Sequence, residues 1–142
     1  MKIYFAGSIR GGRDDTMIYK EIISHLKNYG EVFTEHVGDQ SLAVQGGDGA
    51  DDRSIYKRDM KWLYSANILV AEVSTPSLGV GFEIAQAIQW NKRVLCLYRP
   101  QRGKKLSALI TGCSKIFNVE YTALGEAKKA IDIFCKKEKY TE

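Results

Sequence analysis

The sequence predicts an α/β domain in which a parallel sheet of about five strands carries helices on both faces. Three observations predict it. Short apolar runs alternate along the chain with longer segments whose apolar residues have helical spacing. Residues 67–73 are almost wholly apolar and 93–98 largely so, which is typical of strands covered on both faces. The 142 residues contain no internal repeat, so we expect a single domain over 1–142.

Each predicted strand is a short apolar run, and each predicted helix has apolar residues that recur every three or four positions. In chain order the predicted elements are strand 2–6, helix 14–29, strand 31–34, helix 53–66, strand 67–73, helix 81–90, strand 93–98, helix 106–111, strand 115–119 and helix 124–137. Gly30 is expected to end the first helix, and Asp52 to cap the second. The stretch 38–52, rich in Gly and Asp, is predicted to be a loop.

The composition excludes several classes of protein. No apolar run reaches eighteen residues and the N-terminus passes directly into a predicted strand, so we expect neither a membrane span nor a signal peptide. The net charge of +4 is too small for a nucleic-acid-binding surface but suits anionic small molecules. The three cysteines form no CxxC pair, so we expect no disulfide framework and no zinc site. A reducing compartment is therefore expected: the cytoplasm, and also the nucleus in a eukaryote.

In a parallel sheet, ligands bind beyond the carboxyl ends of the strands. Three predicted loops meet at that edge: Gly7–Arg13, Ser74–Gly81 and Arg99–Lys105. In the first, glycines let the backbone approach an anion, while Ser8 and Arg10 add a hydroxyl and a guanidinium as donors. The segment is neither a GxGxxG motif nor a P-loop, and a plain turn with a surface arginine is the alternative.

Asp59 is a carboxylate on an apolar helix face. It lies four residues from both Ile55 and Leu63, and a carboxylate that faces a core is strongly disfavoured unless it is paired or solvated. The alternative is an ion pair with Arg58, Lys61 or another buried base, but neither of these two neighbours is expected on the same face. We therefore favour a functional role for Asp59.

Three further polar residues stand at or near the predicted crevice. Glu83 is predicted in the first turn of the helix that follows Gly79-Val80-Gly81, where the helix dipole favours the ionised carboxylate that a nucleophile requires. An exposed carboxylate that only complements the dipole is the alternative. The hydroxyl of Tyr4, in a covered strand, needs a partner, either a crevice carboxylate or a backbone carbonyl. Glu72 ends the buried strand, and we favour a structural acceptor over a second site carboxylate.

Two carboxylates in one cleft predict chemistry at a glycosidic bond. In a retaining pair the carboxyl groups lie about 5–5.5 Å apart, and one acts as nucleophile on the anomeric carbon. A basic, glycine-rich cradle beside them makes a nucleotide the expected substrate. No metal-ligand spacing occurs in the sequence, and we expect no metal and no cofactor.

Several segments along nearly the whole chain match, in order, the motifs of one enzyme family. They are Tyr4-Phe5-Ala6-Gly7-Ser8-Ile9-Arg10-Gly11-Gly12, Thr34-Glu35-His36-Val37, Asp59 before Trp62-Leu63, Ala71-Glu72-Val73, Pro76 to Glu83, Asn91-Lys92-Arg93, Leu95-Cys96-Leu97, Arg99-Pro100-Gln101 and Leu106-Ser107-Ala108. On these segments the chain resembles the 2′-deoxynucleoside 5′-monophosphate N-glycosidases of the nucleoside 2-deoxyribosyltransferase superfamily. The resemblance implies a flavodoxin-like, Rossmann-like sheet, a homodimer, and hydrolysis of a deoxynucleotide to free base and 2-deoxyribose 5-phosphate.

The resemblance also implies roles for individual residues. Glu83 is the nucleophile and forms a covalent deoxyribosyl–enzyme ester that water opens. Asp59 contacts the sugar and assists protonation or orientation, and Tyr4 holds the Glu83 carboxylate. His36 borders the base, and Ser107 reaches the phosphate pocket of the neighbouring protomer. The other implied substrate-binding residues are Gly7, Ser8, Ile9, Arg10, Gly11, Ser77 and Gly79.

Three other functions stay open on the sequence. A deoxyribosyltransferase passes the sugar to another base through the same intermediate, although Arg10 and the glycine–serine cradle favour a phosphorylated substrate. A ribonucleoside 5′-monophosphate N-glycosidase differs only in the room at the 2′ position. A non-catalytic nucleotide-binding protein has no use for Asp59 on an apolar face.

Overall fold

A parallel β-sheet with helices on both faces forms the part of the chain that the structure, a computed structural model, describes: residues 1–9, 13–34 and 51–138. In chain order its elements are β1 Lys2–Ala6, α1 Arg13–Leu26, β2 Glu31–Phe33, α2 Asp52–Ser65, β3 Ile68–Glu72, α3 Leu78–Gln89, β4 Arg93–Tyr98, α4 Ala108–Thr111, β5 Ile116–Glu120 and α5 Leu124–Glu138. Within those residues the sheet has five strands in the order β2-β1-β3-β4-β5, which confirms the predicted fold class. No helix among them is both long and apolar enough to cross a membrane.

The strand order reverses between the two central strands, β1 and β3. From β1 the chain moves outward to β2 on one side and then returns to β3 on the other. Tyr4 pairs with Leu69 and Ala6 with Ala71, so the two strands end at the same level. In sheets of this kind, the crevice at such a reversal is where ligands bind.

Side chains of the central strands alternate between two cores. Ile3 and Phe5 of β1 belong to the core that α1 and α5 cover, whereas Tyr4 and Ala6 belong to the core that α2 and α3 cover. Every residue of β3 is buried. Burying one Val, Leu, Ile or Phe side chain stabilises a fold by about 1.5–3 kcal/mol, so both helical layers depend on the apolar residues of these strands.

The first helix ends earlier than predicted. α1 stops at Leu26, because the next residues form a tighter turn in which the Tyr29 N–H donates to the Leu26 carbonyl at 2.9 Å. Gly30 therefore does not cap the helix. A Cβ on Gly30 would lie 1.9 Å from the Met1 carbonyl oxygen, and the Glu31 N–H donates to that same oxygen at 3.1 Å. Glycine is needed here for the close approach of the chain to β1.

Two other helices begin earlier than predicted, each because a different residue caps it. Asp51 caps α2, since its carboxylate accepts from the Ser54 N–H at 2.8 Å, and the predicted cap, Asp52, is the first residue of the helix. Ser77 caps α3, which starts at Leu78 rather than near residue 81. The second shift places Glu83, a candidate catalytic residue, in the second turn of its helix.

Asp132 of α5 fastens α5 to the end of α1. Its carboxylate accepts from the Tyr29 hydroxyl and lies 2.7 Å from Nε2 of His25. The Tyr29 hydrogen bond is the main cause that lowers the pKa of Asp132, and the same bond raises the pKa of Tyr29 to about 12. The ionised carboxylate is thus the form that the fold favours.

Replacing Asp132 with Asn should lower the free energy of unfolding by about 1 kcal/mol at neutral pH, because a neutral amide is a weaker acceptor than a carboxylate. A carboxyl group whose pKa falls on folding stabilises the fold above its unfolded pKa, and this stabilisation is lost as the pH falls through the folded value. The difference between wild type and variant should therefore shrink between about pH 5 and about pH 2. Urea denaturation at both pH values measures it, and an equal difference at both contradicts the assignment.

Candidate active site

The crevice lies where β1, β3 and β4 end. Gly7 and Ser8 follow β1, Ser77 and Gly79 follow β3, and Arg99 follows β4. The three loops that the sequence predicts at this edge therefore do start side by side. Three predicted site residues, Arg10, Gly11 and His36, lie outside the described residues, as does the predicted loop 38–52 up to residue 50.

The first loop is held against α1 by Tyr19. A Cβ on Gly7 would lie 3.1–3.2 Å from the Tyr19 ring, so only glycine lets the ring pack this closely. The Ser8 N–H donates to the Tyr19 hydroxyl at 3.2 Å, and Ser8 itself is buried. This N–H is therefore engaged within the protein. Ile9 packs against the core between the sheet and α1, so its side chain is structural.

The second loop presents the N-terminus of α3. Ser77 adopts an extended backbone, and its Oγ accepts from the Val80 N–H at 3.3 Å. Gly79 is exposed, and an added Cβ would make only an ordinary contact, 3.8 Å from the Ser77 Oγ. A helix N-terminus with its positive dipole end open to the crevice suits a phosphate group.

Asp59 is buried on α2, as its place on the apolar stripe predicts. The ion pair with Arg58, which the sequence disfavoured because the two residues do not share a helix face, is present: Nε of Arg58 lies 3.3 Å from Oδ1 of Asp59. The guanidinium is held 4.9 Å from the centre of the Trp62 ring, and that ring stacks on Phe33 of β2. A long side chain can lie along the surface of its own helix when an aromatic ring one turn away contacts its head group, and this places the Arg58 guanidinium beside Asp59.

Glu83 is half-buried and stands in the second turn of α3, not in the first. Because Ser77 caps the helix, Glu83 is six residues, or about 9 Å of helix rise, from the cap. The effect of the dipole falls off within the first turn, so the dipole does not account for an ionised Glu83. The predicted position was wrong because Ser77 caps the helix and α3 therefore begins three residues earlier than predicted.

The three candidate catalytic residues belong to one face of the sheet. The Tyr4 side chain, with its hydroxyl, is buried in the core beneath α2 and α3, the helices that carry Asp59 and Glu83. Those helices meet through the rings of Tyr56 and Phe82, whose centres are 6.2 Å apart. Tyr56 is one turn before Asp59 and Phe82 directly precedes Glu83, so the helices touch close to both carboxylates. A contact between Tyr4 and Glu83 stays a prediction.

A further carboxylate at the crevice, Asp15, was not predicted from the sequence. It is 6% exposed, and it accepts from Thr75 Oγ1 and from Nη2 of Arg99, the latter at 2.6 Å. Burial alone would lower the pKa of Arg99, but the hydrogen bond to Asp15 and nearby negative charges raise it. The spacing of apolar residues in the sequence does indicate its burial, since Asp15 is one turn before Tyr19 and two turns before Ile22 on the buried face of α1.

Glu72 is a structural acceptor, as favoured from the sequence. It is 1% exposed and accepts from both the N–H and the Oγ of Ser74, at 2.6 and 3.0 Å, and from the Tyr121 hydroxyl. Burial and the bond to Glu72 raise the pKa of Tyr121, so that phenol stays a donor. Ser107, by contrast, is exposed at the N-terminus of α4, where its Oγ accepts from the Leu109 N–H at 3.3 Å.

The chain belongs to the nucleoside 2-deoxyribosyltransferase family, whose profile matches residues 3–131. It is 57% identical over 112 residues to a Nematostella vectensis protein named as a candidate 2′-deoxynucleoside 5′-phosphate N-hydrolase 1, a match that spans 78% of this chain and 76% of that one. It is 54% identical over 114 residues to the 5-hydroxymethyl-dUMP N-hydrolase of Danio rerio, spanning 80% of each chain. The rat protein of that name is 47% identical over 133 residues, spanning 92% of this chain and 82% of that one.

Solved structures share the fold at low sequence identity. A CMP N-glycosidase of Clostridium botulinum superposes with a TM-score of 0.70 at 17% identity, covering 94% of this chain and 99% of that one. A 2-deoxyribosyltransferase of Bacillus psychrosaccharolyticus gives a TM-score of 0.65 at 17% identity and covers 90% of each chain. These two likenesses support the fold alone.

Replacing Gly7 with Ala should lower the free energy of unfolding by about 1–3 kcal/mol, because the new methyl group meets the Tyr19 ring. Gly81→Ala is the matched control: a Cβ there has nothing within 4 Å, and alanine favours a helix. Chemical denaturation of both variants measures the effect. A Gly7→Ala variant as stable as Gly81→Ala contradicts the proposed packing.

Proposed function

We propose that this protein hydrolyses the N-glycosidic bond of 2′-deoxynucleoside 5′-monophosphates, releasing the nucleobase and 2-deoxyribose 5-phosphate. The observation that carries the proposal is the 54% identity, over four-fifths of the chain, to a relative named 5-hydroxymethyl-dUMP N-hydrolase. The fold is consistent with it, because Asp59 and Glu83 stand on adjoining helices beside a crevice at the carboxyl edge of the sheet.

Glu83 is the nucleophile in this proposal. Its carboxylate oxygen bonds to C1′ of the sugar as the C1′–N bond breaks and the base takes the bonding electrons. Water then attacks C1′ as the ester C1′–O bond breaks, which restores the carboxylate and releases 2-deoxyribose 5-phosphate. The proton that this water loses balances the one that the departing base takes up. The transition state has oxocarbenium character, so the anionic side chain also stabilises the positive charge that develops.

Asp59 orients the sugar in this proposal. Its carboxylate is paired with the Arg58 guanidinium at 3.3 Å and can accept a hydrogen bond from a hydroxyl group. Its burial on α2 and the stacking of Arg58 on Trp62 limit the positions that the carboxylate can take. A sugar hydroxyl that donates to Asp59 would hold C1′ in one orientation toward Glu83.

The phosphate group is held at a distance from the reacting bond. The N-terminus of α3 with Ser77 and Gly79, together with the Ser8 hydroxyl and Arg10, forms the proposed phosphate site. Such remote binding raises the rate of the reaction when it fixes the sugar in the geometry of the transition state. This site distinguishes a nucleotide hydrolase from a transferase that acts on unphosphorylated nucleosides.

A homodimer, with Ser107 reaching the phosphate site of the partner, is part of the proposal. Apolar side chains are exposed around the starts of α3 and α4, with Leu78 97% exposed and Leu109 84% exposed. Tyr56 and Phe82 add exposed aromatic surface on α2 and α3. A second copy that covers this surface would remove these side chains from water and bring Ser107 near a neighbouring crevice.

Replacing Glu83 with Ala should reduce the turnover of deoxynucleoside monophosphates about 1000-fold or more, equivalent to about 4 kcal/mol, while nucleotide affinity is largely kept. Chromatography of the products formed from a panel of deoxynucleoside monophosphates, with GMP beside dGMP, measures both turnover and substrate class. Unchanged turnover removes Glu83 from the mechanism. Efficient exchange of free bases on unphosphorylated nucleosides identifies a transferase, and equal cleavage of GMP and dGMP identifies a glycosidase without 2′ selectivity.

Mixing two inactive variants should restore activity if Ser107 serves the neighbouring site. Ser107→Asp repels phosphate yet still caps α4, since Asp is a good N-cap. In a mixed dimer, Glu83 of the Ser107→Asp protomer shares a site with Ser107 of the Glu83→Ala protomer. Random re-pairing should restore about one quarter of the wild-type sites. Activity that does not rise after denaturation and refolding of the mixture contradicts a shared site.

A further inference from the structure

We propose that Asp15 is a positioning residue for phosphate recognition: through Thr75 and Arg99 it holds the crevice loops in the geometry that binds the 5′-phosphate. The inference rests on the proposed function, because it concerns the phosphate group of that substrate. Asp15 stands in the first turn of α1, directly after the first crevice loop. Thr75 belongs to the second loop, and Arg99 begins the third. One carboxylate therefore joins all three.

Both oxygens of the Asp15 carboxylate are engaged. Thr75 Oγ1 donates to Oδ2, and Nη2 of Arg99 donates to Oδ1 at 2.6 Å. The side chains of Asp15 and Arg99 are 8% and 20% exposed, so little water is present to replace either contact. Separating a buried ion pair leaves each charge uncompensated, which strongly disfavours other arrangements of the loops.

The same helix also fixes the start of the first loop. Tyr19 lies one turn after Asp15 on the buried face of α1, where its ring packs on Gly7 and its hydroxyl accepts from the Ser8 N–H. Burial, followed by the charges of Asp15 and Glu72, raises the pKa of Tyr19, so it stays a neutral phenol. α1 thus couples Gly7 and Ser8 to the two loops that Asp15 holds.

The contact between Asp15 and Thr75 positions the part of the proposed phosphate site that the second loop supplies, Ser77 and Gly79. Thr75 is two residues before Ser77, and Pro76 between them restricts the backbone. Ser74, on the other side of Thr75, accepts from the Arg99 N–H at 2.9 Å. The turn that ends in the Ser77 cap is therefore anchored by two independent contacts to neighbouring loops.

A direct electrostatic effect of Asp15 on phosphate affinity would have the opposite sign from a positioning effect. Its negative charge lies among the loops that are proposed to hold a phosphate dianion. If charge alone mattered, neutralising Asp15 would strengthen phosphate binding. If Asp15 positions the loops, neutralising it weakens binding, because misplacing a binding group by about 1 Å costs up to about 100-fold. The sign of the change separates the two.

The test is the Asp15→Asn variant, with binding of 2-deoxyribose 5-phosphate and of 2-deoxyribose measured by titration calorimetry. We expect the Kd of the phosphorylated sugar to rise about 10-fold or more, and that of the unphosphorylated sugar to change less than about 3-fold. In turnover assays, kcat/KM for a deoxynucleoside monophosphate should fall about 10-fold or more, with KM rising more than kcat falls. Asp132→Asn is the matched control, because it removes a carboxylate charge that anchors the other end of α1, away from the crevice.

Two results of the calorimetry overturn the proposal. One is a Kd for 2-deoxyribose 5-phosphate that is unchanged or lower in Asp15→Asn. The other is a rise of this Kd in Asp132→Asn as large as that in Asp15→Asn. If Asp15→Asn does not fold, Thr75→Val and Thr75→Ser replace it, since valine keeps the shape and only serine keeps the donor. Equal Kd values for these two then overturn it. A wild-type protein that binds 2-deoxyribose 5-phosphate but cleaves no nucleotide refutes the proposed function alone, and one that does not bind this sugar refutes the inference as well.

Discussion

Buried carboxylates at the carboxyl edge of the sheet must be supplied with hydrogen-bond donors, and this requirement organises the loops of the crevice. Glu72 ends a strand buried on both faces and takes its donors from Ser74 and Tyr121. Asp15 takes its donors from Thr75 and Arg99. Because these donors come from the connections after β3, β4 and β5, and Asp15 itself stands in the helix that follows β1, satisfying the two carboxylates holds the carboxyl ends of these four strands in one arrangement.

The alternation of side chains in the strands separates this structural network from the proposed chemistry. α1, which carries Asp15, packs on one face of the sheet, and α2 and α3, which carry Asp59 and Glu83, pack on the other. The two systems meet at the carboxyl edge, where the loops from both faces converge. Side chains on one face of the sheet therefore hold the loops in place, and different side chains, on the other face, are available to contact a ligand.

The fold by itself does not decide the reaction. The same architecture, at 17% identity, occurs in a CMP N-glycosidase and in a 2-deoxyribosyltransferase. The activities of these proteins differ in the sugar and in the acceptor, so the distinction lies in the side chains and loops around the crevice. This chain is 47–57% identical to relatives that are named as N-hydrolases.

Periodicity in the sequence was sufficient for the elements and for one buried carboxylate. The apolar positions one turn before and after Asp59 predicted its burial, and the structure agrees. The same reasoning applied to Asp15, with Tyr19 one turn later, would have predicted a second. Acidic residues are common at the start of a helix because they complement the helix dipole. A buried acidic residue at such a position, like Asp15, is therefore easily taken for an exposed one.

The strands, the helices, the two faces of the sheet and the edge at which loops converge could all be predicted from the sequence, because they follow from local spacing of apolar residues. Which polar groups meet could be seen only once the elements were packed together. Arg58 reaches Asp59 because Trp62 stacks on Phe33 of another element, and Asp15 binds residues 60 and 84 positions away. Such contacts depend on the distances between elements, which a local sequence pattern does not specify. They form because a buried charge is stable only beside a partner.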